Sequence, residues 1–266
     1  MKVVAVTPAN RHLYQPGLDA LQHGISYPLG DDRFQLDHGP DYWAFFDRMG
    51  PVTYYVALEQ DQVIASGCGV LRQVPYASGQ PARAAWYCCD LKVRKDRRGA
   101  HVPFRLFASA IHHYARCTHG YLISMNPGDG ADNSVVRLMK RFRGAPLSVP
   151  CTLEFHSLDA EQMRAVTPLV TEHRGPIGFL SHSGVKDIVL DSTGAPMPLL
   201  HVQWGPTGEP RTDQPKDQHV HMFCSPSQDP LAIAMRELGY APSATATVMA
   251  HRMADADWRF ILTSDI

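Results

Sequence analysis

Apolar residues recur along this chain with two periods, and the alternation between them outlines the fold. Residues 3–6, Val-Val-Ala-Val, make a short first strand. Residues 53–58 and 63–72 are β-prone runs on either side of the polar Glu59-Gln60-Asp61-Gln62, the pattern of a hairpin. Gly67 and Gly69 inside its second arm predict a bulge or a close backbone approach. Further strands are expected over 82–93, 121–125 and 147–156. Helical spacing appears over 103–116, where Phe104, Phe107, Ile111 and Tyr114 share a face, and over 133–142, where Val135, Leu138, Met139 and Phe142 do so, with Asp132 as the expected cap. Residues 16–21 and the aromatic 41–46, capped by Asp41, complete the helices. Residues 26–40 and 75–81 read as loops. The order is β, α, α, β, β, β, α, β, α, β.

The second half is less regular. A helix is expected over 158–170, and a strand pair over 185–190 and 198–204. The Pro-rich 205–218 reads as an exposed loop, 219–224 as a strand and 229–238 as a helix stopped by Gly239. Residues 244–251 and 258–263 read as late strands.

Length and charge narrow the function classes. The 266 residues can bury a substantial core, and a net charge of −1 gives no general attraction to nucleic acid or an anionic membrane. No apolar run reaches a membrane span, and the apolar N-terminal stretch is too short for a signal peptide. Six cysteines without a CxxC pair, mostly in apolar segments, fit reduced buried thiols in a cytoplasmic protein. His219-x-His221 and His112-His113 have no convincing third ligand, so no metal is expected.

Against this neutral background one stretch stands out. The strand ending Asp90-Leu91-Lys92-Val93 runs into a turn, with five basic residues and one acid between Lys92 and Arg98, and Pro103 then opens a helix. Free N–H groups at a helix start, reinforced by Arg97 and Arg98, form an anion site suited to phosphate; the competing reading is a solvated basic turn. Strand alternation places Asp90 on the face of Trp86 and Cys88, where desolvation would raise its pKa and suit a base or base-orienter. A plain ion pair with a neighbouring cation is the rival. Tyr87, on the opposite face, is either core or a general acid. Cys88 and Cys89 read as small core residues.

These residues resemble the signature of the GNAT acyltransferases, a strand ending L-x-V followed by R/Q-x-x-G-x-G/A at a helix start. Leu91-Lys92-Val93 matches the strand end, and Arg98-Gly99-Ala100-His101-Val102-Pro103 falls on the loop; His101 and Pro103 stand where the family has Gly and Gly or Ala. Asn133 to Phe142 resembles the family's next helix in its Asn, Leu and basic positions, with Met139 where a Tyr often serves as acid. The resemblance covers about residues 1 to 156. It implies an α/β (α+β) fold with a mixed, mostly antiparallel central sheet and flanking helices. It also implies acetyl-CoA as co-substrate, held by Leu91, Val93, Arg97, Arg98, Gly99, Ala100, His101, Val102 and Asn133, and an amine acceptor, small molecule or peptide. Asp90 and Tyr87 are the candidate catalytic pair.

The strand, helix, Gly239-Tyr240 and strand of the second half resemble a worn second copy without a phosphate turn. The expected domains are therefore 1–156 and 157–266, the second being a degenerate repeat or an unrelated α/β extension. Two other functions fit the altered loop: a non-catalytic acyl-CoA-binding protein, and an acyltransferase using a long-chain or carrier-protein donor.

Overall fold

The computed structural model describes residues 1–75, 81–99, 101–141, 146–205 and 211–266. Ala100, Phe142, Gly144 and the centres of the two loops expected at 75–81 and 205–218 lie outside the described residues. The first half begins with β1 (Lys2–Val6) and α1 (Arg11–Gln22). Residues 26–40, expected as a loop, instead form a hairpin of β2 (Tyr27–Leu29) and β3 (Asp32–Asp37) turning at Gly30. Its polar, Gly- and Asp-rich composition masked the apolar alternation of Tyr27, Leu29, Phe34 and Leu36. The aromatic helix is a single turn, α2 (Ala44–Asp47), and Asp41 accepts the Trp43 N–H at 3.0 Å just before it.

The expected hairpin is β4 (Val52–Glu59) and β5 (Gln62–Val74), joined by Gln60 and Asp61, both at positive φ as a two-residue turn of matching twist requires. Then come β6 (Arg83–Val93), α3 (Val102–Ala110) with a 3-10 turn over Ile111–Ala115, β7 (Gly120–Met125), α4 (Ser134–Met139) and β8 (Ser148–Leu158). Asn133, not Asp132, caps α4, its side-chain oxygen accepting from Val135 and Val136.

The second half comprises α5 (Ala160–Arg174), started by a capping box of Asp159 and Gln162, then β9 (Ile177–Leu180), β10 (Asp187–Leu190), β11 (Leu199–Trp204), β12 (Val220–Pro226), α6 (Pro230–Glu237) and β13 (Ala244–His251). The pairing expected between 185–190 and 198–204 does not form: β10 pairs with β3, and β11 with β9 and β12. Residues 258–263, expected as a strand, instead carry a 3-10 turn at Trp258–Phe260, with a second at Thr263–Asp265.

Among the described residues ten strands form one sheet in the order β1-β4-β5-β6-β7-β13-β8-β12-β11-β9, and β2, β3 and β10 form a second. The large sheet is palindromic about its centre. On one side the parallel pair β6·β7 leads through α4 to β8; on the other the parallel pair β11·β12 leads through α6 to β13. Yet β13 lies beside β7, and β8 lies beside β12. Each half lends its last strand to the other, and the two loans pair with each other at the middle. The small sheet is shared as well, a hairpin of the first half completed by β10 of the second.

Both parallel pairs part. β6 and β7 pair from Trp86/Gly120 to Cys88/Leu122 and no further, although both strands run on. β11 and β12 part after His201/Met222. The second parting is bridged by the segment 258–265. Thr263 bonds His201 and the Met222 carbonyl, Gln203 donates to Ser264, and the Cys224 thiol donates to the Ile261 carbonyl. Helices α5 and α6 cover its other face through Val166, Val170, Leu231 and Met235. The first parting opens into a cavity.

Gly39 sits where the halves touch. Its φ is +62°, and a Cβ there would stand 2.1 Å from the Gly184 carbonyl oxygen. Gly30, at φ +58°, has open space around it. Gly39→Ala should therefore lower stability by about 3 kcal/mol or more, and Gly30→Ala by only ~1–2 kcal/mol, the cost of left-handed backbone for an alanine. Chemical denaturation of both variants checks the difference.

Candidate active site

The parting of β6 from β7 coincides with a bulge. β6 pairs β5 as Cys68/Cys89 and then Ser66/Lys92, so Asp90 and Leu91 together face Gly67. Asp90 takes the extra place at φ +52°, and the Ser66 hydroxyl donates to its carbonyl. The bulge resets the alternation. Ala85, Tyr87 and Cys89 face the main core, and Asp90 and Lys92 follow on that same side, against Tyr42 and Tyr54. Cys88, Leu91 and Val93 face the α3 and α4 side. Asp90 thus shares a face with Tyr87 rather than with Trp86 and Cys88.

Asp90 is buried in a closed network. Lys92 pairs with it and donates to the Tyr42 hydroxyl at 2.7 Å; Tyr42 donates to Asp90 at 2.8 Å, and Tyr54 donates to the same carboxylate oxygen. Burial works to raise the carboxyl pKa, but Lys92 and the Tyr54 hydroxyl outweigh it and hold it below the usual carboxylate range. The raised pKa expected of a carboxylate in an apolar strand is therefore reversed. Lys92, counted in the sequence with the basic turn, is instead a buried counterion. Burial pushes the Tyr42, Tyr54 and Tyr87 hydroxyls up, so all three are protonated at neutral pH. Tyr87 stacks on Tyr121 at 5.0 Å between ring centres. Cys88 is pushed up to about 12 by burial, which leaves it a thiol.

The cavity occupies about 380 Å³ and passes through the parting. On one side it meets Leu91, Leu106, Phe107 and Val135; on the other it runs beneath the small sheet, against Phe34, Leu36, Phe45 and Ile188. Tyr87, Asp90, Lys92 and Asn133 also line it. Asn133 is fully engaged: its oxygen also accepts from Ser124, and its amide donates to the Ser124 and Met125 carbonyls and to Asn126. It ties the end of β7 to the start of α4. Val93 packs in the apolar cluster beneath α3 with Ala57, Ile64 and Val102.

The basic turn divides by role. Arg97 pairs with Glu59 and Asp96, and Arg94 with Asp96. Arg98 reaches the Val93 carbonyl at 3.5 Å and is exposed. Gly99 (φ +86°) and His101 (φ +55°) bend the chain into α3, where Val102 is buried and Pro103 occupies the first turn. No pattern in the sequence marks His38, Lys186 or His201, which also line the cavity. Their places depend on contacts between distant segments, and no local spacing encodes those.

The chain aligns with a solved tandem GNAT protein from the clavulanic acid biosynthesis pathway over 94% of its own length and 98% of that chain, with TM-score 0.50 and 12% identity. It therefore has the fold of a tandem GNAT protein. A solved aminoglycoside antibiotic 6'-N-acetyltransferase from Acinetobacter haemolyticus matches 53% of the chain and 88% of its own length at 15% identity, with TM-score 0.34. In sequence, the uncharacterized protein L340 of Acanthamoeba polyphaga mimivirus is 21% identical over 240 residues, 85% of this chain and 68% of that protein. No family model matches the sequence. Among the described residues no helix is long and apolar enough to cross a membrane.

The buried pair sets a test. Asp90→Ala should cost about 3–5 kcal/mol, because it strands the Lys92 ammonium, and Asp90→Asn/Lys92→Met should recover much of the loss. Because Asp90 titrates lower folded than unfolded, its contribution is complete above pH ~5 and fades as pH falls through the folded pKa, below ~4. Denaturation between pH 3 and 7 should show wild type losing this increment and the double variant lacking that part of the slope.

Proposed function

We propose that the protein transfers an acyl group, acetyl in the simplest case, from coenzyme A to a primary amine on a small molecule or peptide. The observation that carries this reading is the open parting of β6 from β7, with a cavity running through it from the α3 side to the small sheet. A donor on one side and an acceptor on the other would meet at the gap in near-attack geometry, which is the main help such a reaction needs.

Coenzyme A supplies a thioester whose carbonyl is open to attack. The chain's residues fit that group in part. Arg98 and the first-turn N–H groups of α3 would take its pyrophosphate, with Gly99, His101 and Val102 leading the chain into the helix. Pro103 removes one N–H, and Arg97 already serves Glu59, so the grip rests on fewer donors than the basic turn suggests. The edge of β6 from Leu91 onward, unpaired toward β7, presents backbone dipoles to the acyl oxygen. Val135 and Phe107 border the path of the pantetheine arm, and Asn133 fixes its wall.

In the transfer the amine nitrogen bonds the carbonyl carbon, the carbon–sulfur bond breaks, and the amine's proton and the departing thiolate must both be served. Asp90, ionised and held by Lys92, orients the amine. Tyr87, kept protonated, gives its proton to the departing thiolate, and the proton that the attacking nitrogen loses returns to the Tyr87 oxygen, so amide and free thiol leave with Tyr87 restored. Six free cysteines suit the reducing cytoplasm, where we place the reaction.

Calorimetry with acetyl-CoA tests the donor half. Arg98→Ala should weaken binding about fivefold, roughly 1 kcal/mol, and Arg97→Ala by less. Thiol release from acetyl-CoA over a panel of amines tests the transfer. No binding by wild type would remove the reading, and binding without turnover on any amine would leave a CoA-binding protein.

A further inference from the structure

The turn between β3 and α2 places in the cavity a side chain that bonds nothing. His38 is 4% exposed and lines the cavity beside Phe45. Its ring stacks on Tyr42 at 4.4 Å and on Phe46 at 5.5 Å, and meets Phe45 edge-on at 6.0 Å. Nδ1 is buried without a hydrogen-bond partner, and Nε2 makes no hydrogen bond among the described residues. The Tyr42 ring beneath it carries the hydroxyl that donates to Asp90, so the imidazole stands one ring away from the bulge at the parting. The turn itself is held: the Gly39 N–H donates to the Asp37 carboxylate at 2.9 Å, and Gly39 lies against the Gly184 carbonyl with no room for a Cβ. The second half thus buttresses the turn that carries this ring.

The charged groups around it are already matched. Asp90 is the only side-chain carboxylate among the described residues that line the cavity. Its Oδ1 accepts from Lys92, and its Oδ2 from Tyr42 and Tyr54. Lys186 donates to the Ile266 oxygen and lies 3.8 Å from the centre of the Phe45 ring. The rest of this side is apolar, with Phe34, Leu36, Phe45 and Ile188 as its wall.

A buried polar ring without a partner is costly unless a ligand completes it. Burial and the Lys92 charge lower the His38 pKa to about 3, so the ring is neutral at physiological pH and one of its nitrogens offers an open lone pair.

We propose that His38 binds the acceptor, taking a hydrogen bond from its amine, and that the acceptor is a primary amine on an uncharged, apolar body. The amine end rests on the acyltransferase reading. With both oxygens of Asp90 engaged, that carboxylate acts on the amine through its charge, and His38 supplies the hydrogen-bond acceptor. An N–H held by the imidazole leaves the nitrogen lone pair free to face the thioester. His38 takes no proton, so the transfer balances through Tyr87 as described above. The body lies against Phe34, Phe45 and Ile188 and has room there: about 150 Å³ is enough for a benzene ring, and the cavity holds about 380 Å³ on the two sides of the parting. A second charge on the acceptor would be buried there without a partner.

The first test needs no donor. Binding of 2-phenylethanol, whose hydroxyl stands in for the amine N–H, is measured by NMR titration alongside ethylbenzene, which has no donor. His38→Phe keeps the stacking and removes both nitrogens. It should weaken the alcohol about tenfold and leave ethylbenzene within about twofold of wild type. Should His38→Phe not fold, the wild-type ring gives a second reading: the His38 nitrogen resonances should move further on adding the alcohol than on adding ethylbenzene. Equal effects on the two probes, unchanged binding of the alcohol, or no binding of either by wild type would overturn the proposal. With acetyl-CoA as donor, thiol release with 2-phenylethylamine should exceed that with phenylalanine at least tenfold, and a preference for phenylalanine would overturn the uncharged body. Failure of acetyl-CoA to bind would count against the transferase reading and leave the His38 site standing on the titration.

Discussion

The structure depends on a carboxylate that the sheet has to accommodate. Asp90 occupies one extra position in β6, in left-handed backbone, and its charge is met there by Lys92 and two tyrosine hydroxyls. A charge buried this deeply persists only with its partners in place. Once those partners are fixed, the strand beyond Cys88 no longer follows β7, and a cavity opens between them. The α2 turn that supplies Tyr42 and the β4 strand that supplies Tyr54 are thereby tied to the edge of the gap. Stability and access are set by the same few atoms.

The two halves answer one structural problem in opposite ways. Each has a parallel strand pair that separates, and a separated pair exposes backbone that must find partners. In the second half the segment 258–265 and helices α5 and α6 provide them. In the first half the gap is left open, flanked by a helix N-terminus and a cationic turn. The arrangement assigns the halves different work: one keeps a passage, and the other closes its own and turns its loops toward the passage of its neighbour.

Much of this was legible in the sequence where the information is local. The β4–β5 hairpin, the bulge near Gly67 and the succession of strand β6 and helix α3 follow from spacing and from Gly and Pro placement. The β2–β3 hairpin was hidden because its turn residues outnumber its apolar ones. The partner of β10 was misread because neighbours in sequence are the natural guess, and β3 is some 150 residues away. The face of Asp90 was misread because one inserted residue inverts alternation. Lys186 carries no local mark, since a lysine in a polar turn resembles any surface loop.

The exchange of β8 and β13 has a consequence for how the chain reaches this state. Strand β13 is the neighbour of β7, which precedes it by more than a hundred residues, so the first half cannot complete its sheet until β13 has been synthesised. Until then β7 and β8 are bare edges, the kind of surface on which other chains pair. High contact order of this sort slows folding and lengthens that exposure. Those edges stay open to pairing with other chains until β13 docks, so the order of synthesis, and not the final contacts alone, bears on how much of the chain reaches the native sheet.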